Sequence, residues 1–246
     1  MLGRLLLSAR RAAWRFLGQP PLTPESFTSA NGNLRAAASF LAWNQVPGDY
    51  LEFGTWKGES FIEAYRAVQA YRGMVLGLGH TDDRFRAWAA HAPRFFAFDS
   101  FEGLPGGDAE RQADYAEGAY ACSEEQFLAN VTGAGVPRGA IVTVKGFYDA
   151  TLTPATKQRI GLRRAALAMI DCDLYESTVP VLEFLTDVVG QGSILVFHDW
   201  YRFQARADQG EQRACAEWLA RNPDITLEKY WQEGPQSVAF LVHRRG

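Results

Sequence analysis

The chain has 246 residues, 47% of them hydrophobic and 22% charged, with a net charge of −3. That length suits one large α/β domain or two small ones, and the charge balance gives no support for broad binding to nucleic acid. No apolar run approaches the ~20 residues of a membrane span, and three scattered cysteines (Cys122, Cys172, Cys215) build neither a disulfide framework nor a zinc site; a reducing cytoplasm is the expected compartment.

Residues 1–17 set Arg4, Arg10, Arg11 and Arg15 among leucines and aromatics, with no acidic residue. The expectation is a helix packed on the domain or on a second subunit, which would make a homo-oligomer. The alternative is an amphipathic helix on an anionic membrane. Pro20, Pro21 and Pro24 then break the chain. Residues 34–46 have helical spacing through Leu34, Ala37, Ala38 and Leu41. The expected division is an N-terminal helical extension and linker over 1–47 and one domain over 48–246.

The stretch GDYLEFGTWKGES, residues 48–60, reads as strand, glycine turn and helix. Its pattern is Glu52-x-Gly54-x-x-x-Gly58. A strand, a glycine turn and a helix N-terminus offer free backbone N–H groups and a positive dipole end, and they also make an ordinary βα turn. The dinucleotide fingerprint Gly-x-Gly-x-x-Gly is absent. Residues 73–93 read as an insertion, with Met74-Val75-Leu76 as the start of a strand and residues 84–91 as a short helix. The second strand, residues 94–98, ends in Asp99-Ser100-Phe101-Glu102-Gly103. Residues 106–120 are expected as a polar loop over the site. A helix follows over 123–131, with Ser123 as N-cap and Gln126 completing a capping box.

The third strand, residues 140–144, ends at Lys145-Gly146-Phe147, and residues 151–158 read as loop and turn. The fourth strand, residues 165–170, is unbroken apolar sequence suited to a buried parallel position, and it ends at Asp171-Cys172-Asp173. A helix is expected over 178–189, with Pro180 in its first turn and Gly190 past its end. The fifth strand, residues 193–197, ends at His198-Asp199. A helix over 211–219 and two strands, 225–231 and 237–243, close the chain as an antiparallel pair. The alternation predicts an α/β fold: a doubly wound, mostly parallel seven-stranded sheet with helices on both faces.

In such sheets ligands bind beyond the carboxyl ends of the strands. Here those ends carry Gly54, Asp99, Lys145-Gly146, Asp171 and His198-Asp199. A carboxylate at Asp99 suits the two hydroxyls of a ribose, or a turn cap. Phe147 suits stacking on adenine, or core packing. Asp171 and Asp173 share a face of an extended chain and with Asp199 offer oxygens to a hard divalent ion such as Mg²⁺. Otherwise these aspartates cap helices or pair with Lys145, Arg163 or Arg164. His198 titrates near neutral pH and is a candidate base.

The stretches GDYLEFGTWKGES, FFAFDSFEGLP, VTVKGFYDATLTP, IDCDLYEST and ILVFHDW resemble, in order and spacing, the macrocin O-methyltransferase family of class I methyltransferases. The similarity runs from residue 48 to about residue 206. It implies the class I methyltransferase fold over 48–246, S-adenosylmethionine (SAM) as methyl donor, and a small-molecule hydroxyl acceptor such as a sugar or natural product. It places Glu52, Gly54, Thr55 and Gly58 around the methionine end of SAM. The cofactor site is expected at those four with Asp99, Ser100, Phe101, Gly146, Phe147 and Asp171. Catalysis is expected from His198 and Asp171, and a divalent metal at Asp171, His198 and Asp199. This chain departs from the family there, which usually has two adjacent aspartates at His198-Asp199. Two other readings stand beside this one. The missing fingerprint counts against a nucleotide-binding Rossmann-like enzyme, and the retained acidic strand ends count against a non-catalytic SAM-fold binding protein.

Overall fold

A computed structural model describes residues 31–80, 82–106 and 116–245. The expectations for residues 1–17, for the proline linker and for the middle of the 106–120 loop lie outside the described residues. The elements run α1 (Asn31–Trp43), β1 (Asp49–Phe53), α2 (Glu59–Leu76), α3 (Asp83–Ala90), β2 (Phe95–Asp99), α4 (Glu124–Gly133) and β3 (Ile141–Lys145). Then come α5 (Pro154–Ile160), β4 (Ala165–Ile170), α6 (Tyr175–Leu185), β5 (Val189–Phe197), α7 (Gly210–Arg221), β6 (Ile225–Glu233) and β7 (Ser237–Arg244). Short helical turns sit at Tyr148–Thr151 and Arg202–Ala205. No helix among the described residues is long and apolar enough to cross a membrane.

The seven strands form one sheet in the order β3-β2-β1-β4-β5-β7-β6. The first five are parallel, and β7 enters antiparallel between β5 and β6. Alternation along each central strand divides its side chains between two cores. Leu51, Phe53, Phe96, Phe98, Ile170 and Phe197 meet α6 and α7 on one face. Tyr50, Phe95, Ala97, Met169 and Val196 meet α1, α2 and α4 on the other. Both faces are apolar and covered, which is why these strands lack polar alternation. Leu34, Ala37 and Leu41 of α1 belong to that second core, so α1 packs on the sheet itself.

Four local expectations are corrected. Met74 to Leu76 form no strand. They finish α2, whose buried stripe Phe61, Ala64, Ala67 and Val75 keeps helical spacing up to Gly77. Residues 154–160 are helical, not loop: Thr153 accepts the Thr156 N–H, Pro154 stands at the first helical position, and Gly161 closes the helix at φ 65°. Helix α6 starts at Tyr175, so Pro180 lies inside it and not in its first turn. Strand β5 starts at Val189, and Gly190 lies within the strand, beside a register shift against β4. There the Ser193 hydroxyl donates to Ala165 O at 2.7 Å and accepts the Gly190 N–H at 3.0 Å.

The ladder continues one step past the strands. Gly146 N–H donates to Asp99 O, Gly54 N–H to Phe98 O, Asp171 N–H to Phe53 O and His198 N–H to Ile170 O, all at 2.9–3.0 Å. Five strand ends are thereby held in one row. Gly54 permits it: φ is 85°, and a Cβ there would lie 1.8 Å from the Asp171 carbonyl oxygen. Gly54→Ala should therefore destabilise the protein by at least about 2 kcal/mol, read by urea unfolding. A loss below about 0.5 kcal/mol, the usual size of a surface substitution, would show that the β1–β4 junction can separate freely.

Candidate active site

The glycine turn is built around Asp99. Its Oδ2 accepts the Thr55 N–H at 2.7 Å, the Trp56 N–H at 3.2 Å and the Thr55 hydroxyl at 3.2 Å, while Oδ1 accepts the Phe101 N–H at 2.7 Å. Trp56 and Phe101 both have left-handed backbone, φ 40° and 56°. Such conformations cost of order 1–3 kcal/mol and need surrounding contacts to hold them; one carboxylate supplies contacts to both. Ser100 shapes the next turn, donating to Gly103 O at 2.7 Å and accepting the Glu102 N–H at 3.0 Å. Leu104 then exchanges backbone hydrogen bonds with Gly118 and Ala119, which raises a wall beside the strand ends.

A cleft of about 990 Å³ opens over these ends. Of the residues expected to bind cofactor, Gly54, Asp99, Ser100, Phe147 and Asp171 line it. Phe147 is 39% exposed and forms wall, not core. Glu52, Thr55, Gly58, Phe101 and Gly146 stand behind this surface. The Thr55 hydroxyl is engaged by Asp99. Gly58 lets α2 approach α4, since a Cβ there would lie 2.5 Å from Val131. Phe101 is buried against Phe127. Glu52 is fully buried on the α2 side of the sheet, where Tyr50 donates to one oxygen and Ser60 to the other at 2.6 Å. Burial pushes its carboxyl up to about 8, against the pull of the Ser60 and Tyr50 hydrogen bonds.

The acid–base cluster occupies the β4 and β5 ends. His198 Nδ1 lies 2.9 Å from Asp171 Oδ1 and 3.5 Å from Asp199 Oδ2. Burial alone would lower the His198 pKa. Asp171 and Asp199 outweigh it and hold the imidazole well above its usual value. Asp173, at φ 60°, is pushed well up by burial and by the charges of Asp199 and Asp171. Asp199 is held low despite its burial, chiefly by His198. Arg202 Nε also reaches Asp199, at 3.5 Å. The basic partner of Asp171 is thus His198 and not Lys145, which pairs with Glu102 at 3.5 Å. One ligand atom from each of Asp171, His198 and Asp199 can be chosen so that all lie within 4.8 Å of one another, close enough to share a metal ion.

Several residues of the site were not anticipated. Trp56 and Tyr120 line the cleft edge-to-face, ring centroids 5.9 Å apart. Arg202, Glu176 and Gln236 also border it. Glu211 lies beneath, fully buried, and its Oε2 accepts the Asp199 N–H at 3.0 Å. Burial, then the Asp199 charge, push its carboxyl well up. Its signal was present in the sequence: Glu211 stands on the stripe Ala214, Cys215, Trp218, where a carboxylate is out of place.

Residues 30–217 match the family described as macrocin O-methyltransferase (TylF). The chain is 30% identical over 175 residues to the 8-demethyl-8-(2,3-dimethoxy-alpha-L-rhamnosyl)-tetracenomycin-C 4'-O-methyltransferase of Streptomyces olivaceus. That match covers 68% of this chain and 59% of that protein, less than two thirds of its length. The O-methyltransferase NovP has a similar structure, with TM-score 0.65 and 23% identity over 87% of this chain and 79% of NovP. The O-methyltransferase TomG of Streptomyces achromogenes, solved in complex with SAM, gives TM-score 0.50 at 16% identity, covering 96% and 88%. These two likenesses establish the shared fold.

Glu52 generates a pH signature. Its folded pKa, about 8, lies above its ordinary 4.5. The unfolded chain therefore releases this proton first as pH rises. The Glu52 contribution to stability should be greatest below pH 4.5, fall between about 4.5 and 8, and stay low above that. Glu52→Gln should remove this decline, making the variant more stable than the parent at pH 8 by a few kcal/mol at most. Urea unfolding across pH checks it. A parent whose stability relative to the variant shows no decline over that window would mean that Glu52 is ionised in the folded protein.

Proposed function

The chain belongs to the macrocin O-methyltransferase family, and from that premise we propose that it transfers a methyl group from SAM to a hydroxyl of a sugar-bearing or other natural-product small molecule. One observation carries the reading. The glycine turn and the His198 cluster face a single cleft of about 990 Å³, at the upper end of the size range of small-molecule sites and roomy enough for a donor and an acceptor together. The family match and the SAM-bound TomG of the same fold support the choice of donor.

SAM lies along Gly54, Asp99 and Ser100, with Phe147 as a ring wall. Asp99 takes a ribose hydroxyl on Oδ1, whose only other donor among the described contacts is the Phe101 N–H. The acceptor hydroxyl lies beside His198. SAM already carries the activated methyl group, so the protein must align the two reactants and receive a proton. The imidazole is anchored to Asp171 through Nδ1. Asp199 is fixed from below by Glu211 through its backbone N–H.

Asp171, His198 and Asp199 fit a divalent ion by geometry and donor type, as two carboxylates and one imidazole. The nitrogen ligand suits Mn²⁺, Fe²⁺ or Zn²⁺ better than Mg²⁺, which prefers oxygen alone. A bound ion would polarise the acceptor hydroxyl and make its proton easier to remove. Asp171 and Asp199 both flank His198 Nδ1, and an ion would bring positive charge to the same two carboxylates.

Transfer of labelled methyl from SAM to a panel of glycosides and phenols tests the activity. Chelation should abolish transfer, and Mn²⁺ should restore it better than Mg²⁺. His198→Asp, which sets two aspartates side by side, should stay active and shift the preference toward Mg²⁺. Full activity after exhaustive chelation, lost in His198→Asp, would instead make His198 the sole base. Asp99→Asn should weaken SAM binding by roughly 1–3 kcal/mol, and an unchanged dissociation constant would remove Asp99 from the donor site.

A further inference from the structure

The two edges of the sheet differ in charge. The cleft opens over carboxylates at the carboxyl edge, while the opposite edge, where the parallel strands begin, is rich in arginine. Arg138 precedes β3, Arg163 precedes β4, Arg159 stands at the end of α5, Arg84 lies in the first turn of α3, and Arg245 follows β7, which runs antiparallel to reach that edge. All five are exposed. Arg94, at the start of β2, donates to Ile160 O at 3.0 Å and to Gly161 O at 2.8 Å. Those bonds bring the end of α5, with Arg159 and Arg163, beside β2, and β3 with Arg138 is the next strand. Asp49, Asp83, Asp187 and Asp224 at this edge are already engaged by Arg94, Arg86, Lys157 and Arg244, and Asp82 caps α3. Among the described residues none of the five arginines has a carboxylate partner. Arg84 donates instead to Asn44 O, and Arg138 to Ile141 O at 3.0 Å.

A second observation falls on the same edge. Both α1 and α2 end there, α1 just before β1 begins and α2 after running back from the β1 end. Trp43 closes α1, and Met74, Leu76 and Leu78 belong to the end of α2 and the turn after it; they are 51%, 55%, 39% and 50% exposed. Beneath them Ala42, Val75, Phe85 and Trp88 form a small core of their own, so the exposed four stand on a packed base. A Cβ added at Gly73 or Gly79 would meet nothing within 4 Å, which sets the end of α2 clear of the rest of the chain. Arg84 is tied to this group through Asn44 O, one residue past Trp43. Large apolar side chains gathered in one exposed place mark a contact surface.

We propose that the amino edge of the sheet docks on an anionic lipid bilayer, with Trp43, Met74, Leu76 and Leu78 entering the interface and the arginines meeting lipid phosphate. Tryptophan and aliphatic side chains suit the boundary between headgroup and acyl chain, where one end is apolar and the other wet. Guanidinium groups without carboxylate partners suit the phosphates above it, and each arginine near an anionic leaflet strengthens partitioning by about fivefold. Charge argues against a second copy as the occupant. A two-fold dimer presents the same patch on both subunits, so its arginines would face one another. The same field sets the orientation: an anionic surface attracts this edge and repels the carboxylate edge. The cleft then opens away from the bilayer, toward water. Docking of this kind is independent of the methyl-transfer reading.

The test is flotation of the full chain with vesicles of phosphatidylcholine alone, and of phosphatidylcholine and phosphatidylglycerol in equal parts. The chain should bind the second and not the first, and high salt should weaken that binding. Two variants separate the contributions. One combines Arg138→Gln, Arg159→Gln and Arg163→Gln; the other combines Trp43→Gln, Met74→Gln and Leu78→Gln. Both change only exposed side chains and should match the parent in circular dichroism and unfolding midpoint. Each should lower partitioning at least about tenfold. Trp231→Gln, at an exposed position toward the carboxyl end of β6, should leave it within about twofold. Binding that either triple variant leaves unchanged would overturn the proposal; if Arg10→Gln with Arg11→Gln then abolishes it, the contact belongs to residues 1–17. Equal binding to both vesicle types, or binding to neither, would overturn it as well. A dimer in sedimentation equilibrium that the Trp43 variant dissolves, without vesicle binding, would make a second copy the occupant instead.

Discussion

The parallel register at the carboxyl edge of the sheet is the constraint on which the site depends. Four backbone hydrogen bonds carry the ladder one residue beyond β3, β2, β1, β4 and β5. Each of the five ends then places a different chemistry at the same height: an amide turn, an aspartate, a glycine, a second aspartate, a histidine. The closest approach is at Gly54, where β1 and β4 leave no room for a side chain. Moving either strand by one residue would turn its side chains to the opposite face and scatter the cluster. The apolar cores on both sides make that slip prohibitive. Burial of Phe53, Phe98, Ile170 and Phe197 on one face sets the positions of Asp99, Asp171 and His198 at the edge.

The site concentrates acidic groups where burial opposes charge. Isolated buried carboxylates are costly, and proteins avoid the penalty by pairing them or by leaving them protonated. Both solutions occur within this sheet. Asp171 and Asp199 both pair with His198, which holds Asp199 low despite its burial. Burial pushes the carboxyls of Asp173 and Glu211 well up, and that of Glu52, across the sheet, up to about 8. Folding gains little from such an arrangement, because a well-packed apolar set of the same volume would serve stability as well or better. Glu211 illustrates the division of labour. It touches no ligand surface, yet it holds the backbone of Asp199, the most buried of the cleft aspartates.

Much of the fold was legible in the sequence because apolar runs on a central parallel strand leave few alternatives. Residues 165–170 were bounded correctly since every position is buried. The misreadings fall where two local signals compete. Met74-Val75-Leu76 is β-prone by composition, but Val75 continues the stripe of α2 and packs with Phe85 and Trp88. Thr153-Pro154 was read as a turn although the same pair is a helix N-cap and first residue. In the site, the strand-end residues could be located because topology fixes where strands end. The wall of Trp56 and Tyr120 could not, because it depends on a contact between loops 64 residues apart in the chain. The sequence offers Asp99 as a ribose ligand or a turn cap. That one carboxylate holds the left-handed backbone of Trp56 as well as that of Phe101 is invisible without coordinates.

The structural role of Asp99 ties the proposed donor site to the fold, and the charge of the proposed donor ties both to turnover. SAM carries a sulfonium and a net charge of about +1 near neutral pH, while the product S-adenosylhomocysteine is close to neutral, because its amine and carboxylate titrate on either side. A carboxyl-lined cleft therefore holds the donor more strongly than its product and favours exchange after each transfer. The same field opposes the chemical step, in which positive charge leaves sulfur. The opposition is relieved if the charge does not leave the cleft. In the proposed reaction the hydroxyl loses a proton as it gains the methyl, and the proposed receiver is the cluster of Asp171, His198 and Asp199. Positive charge then moves from one acidic wall to another within a single field. Placing the His198 cluster on β4 and β5, beside the glycine turn on β1, keeps that displacement short.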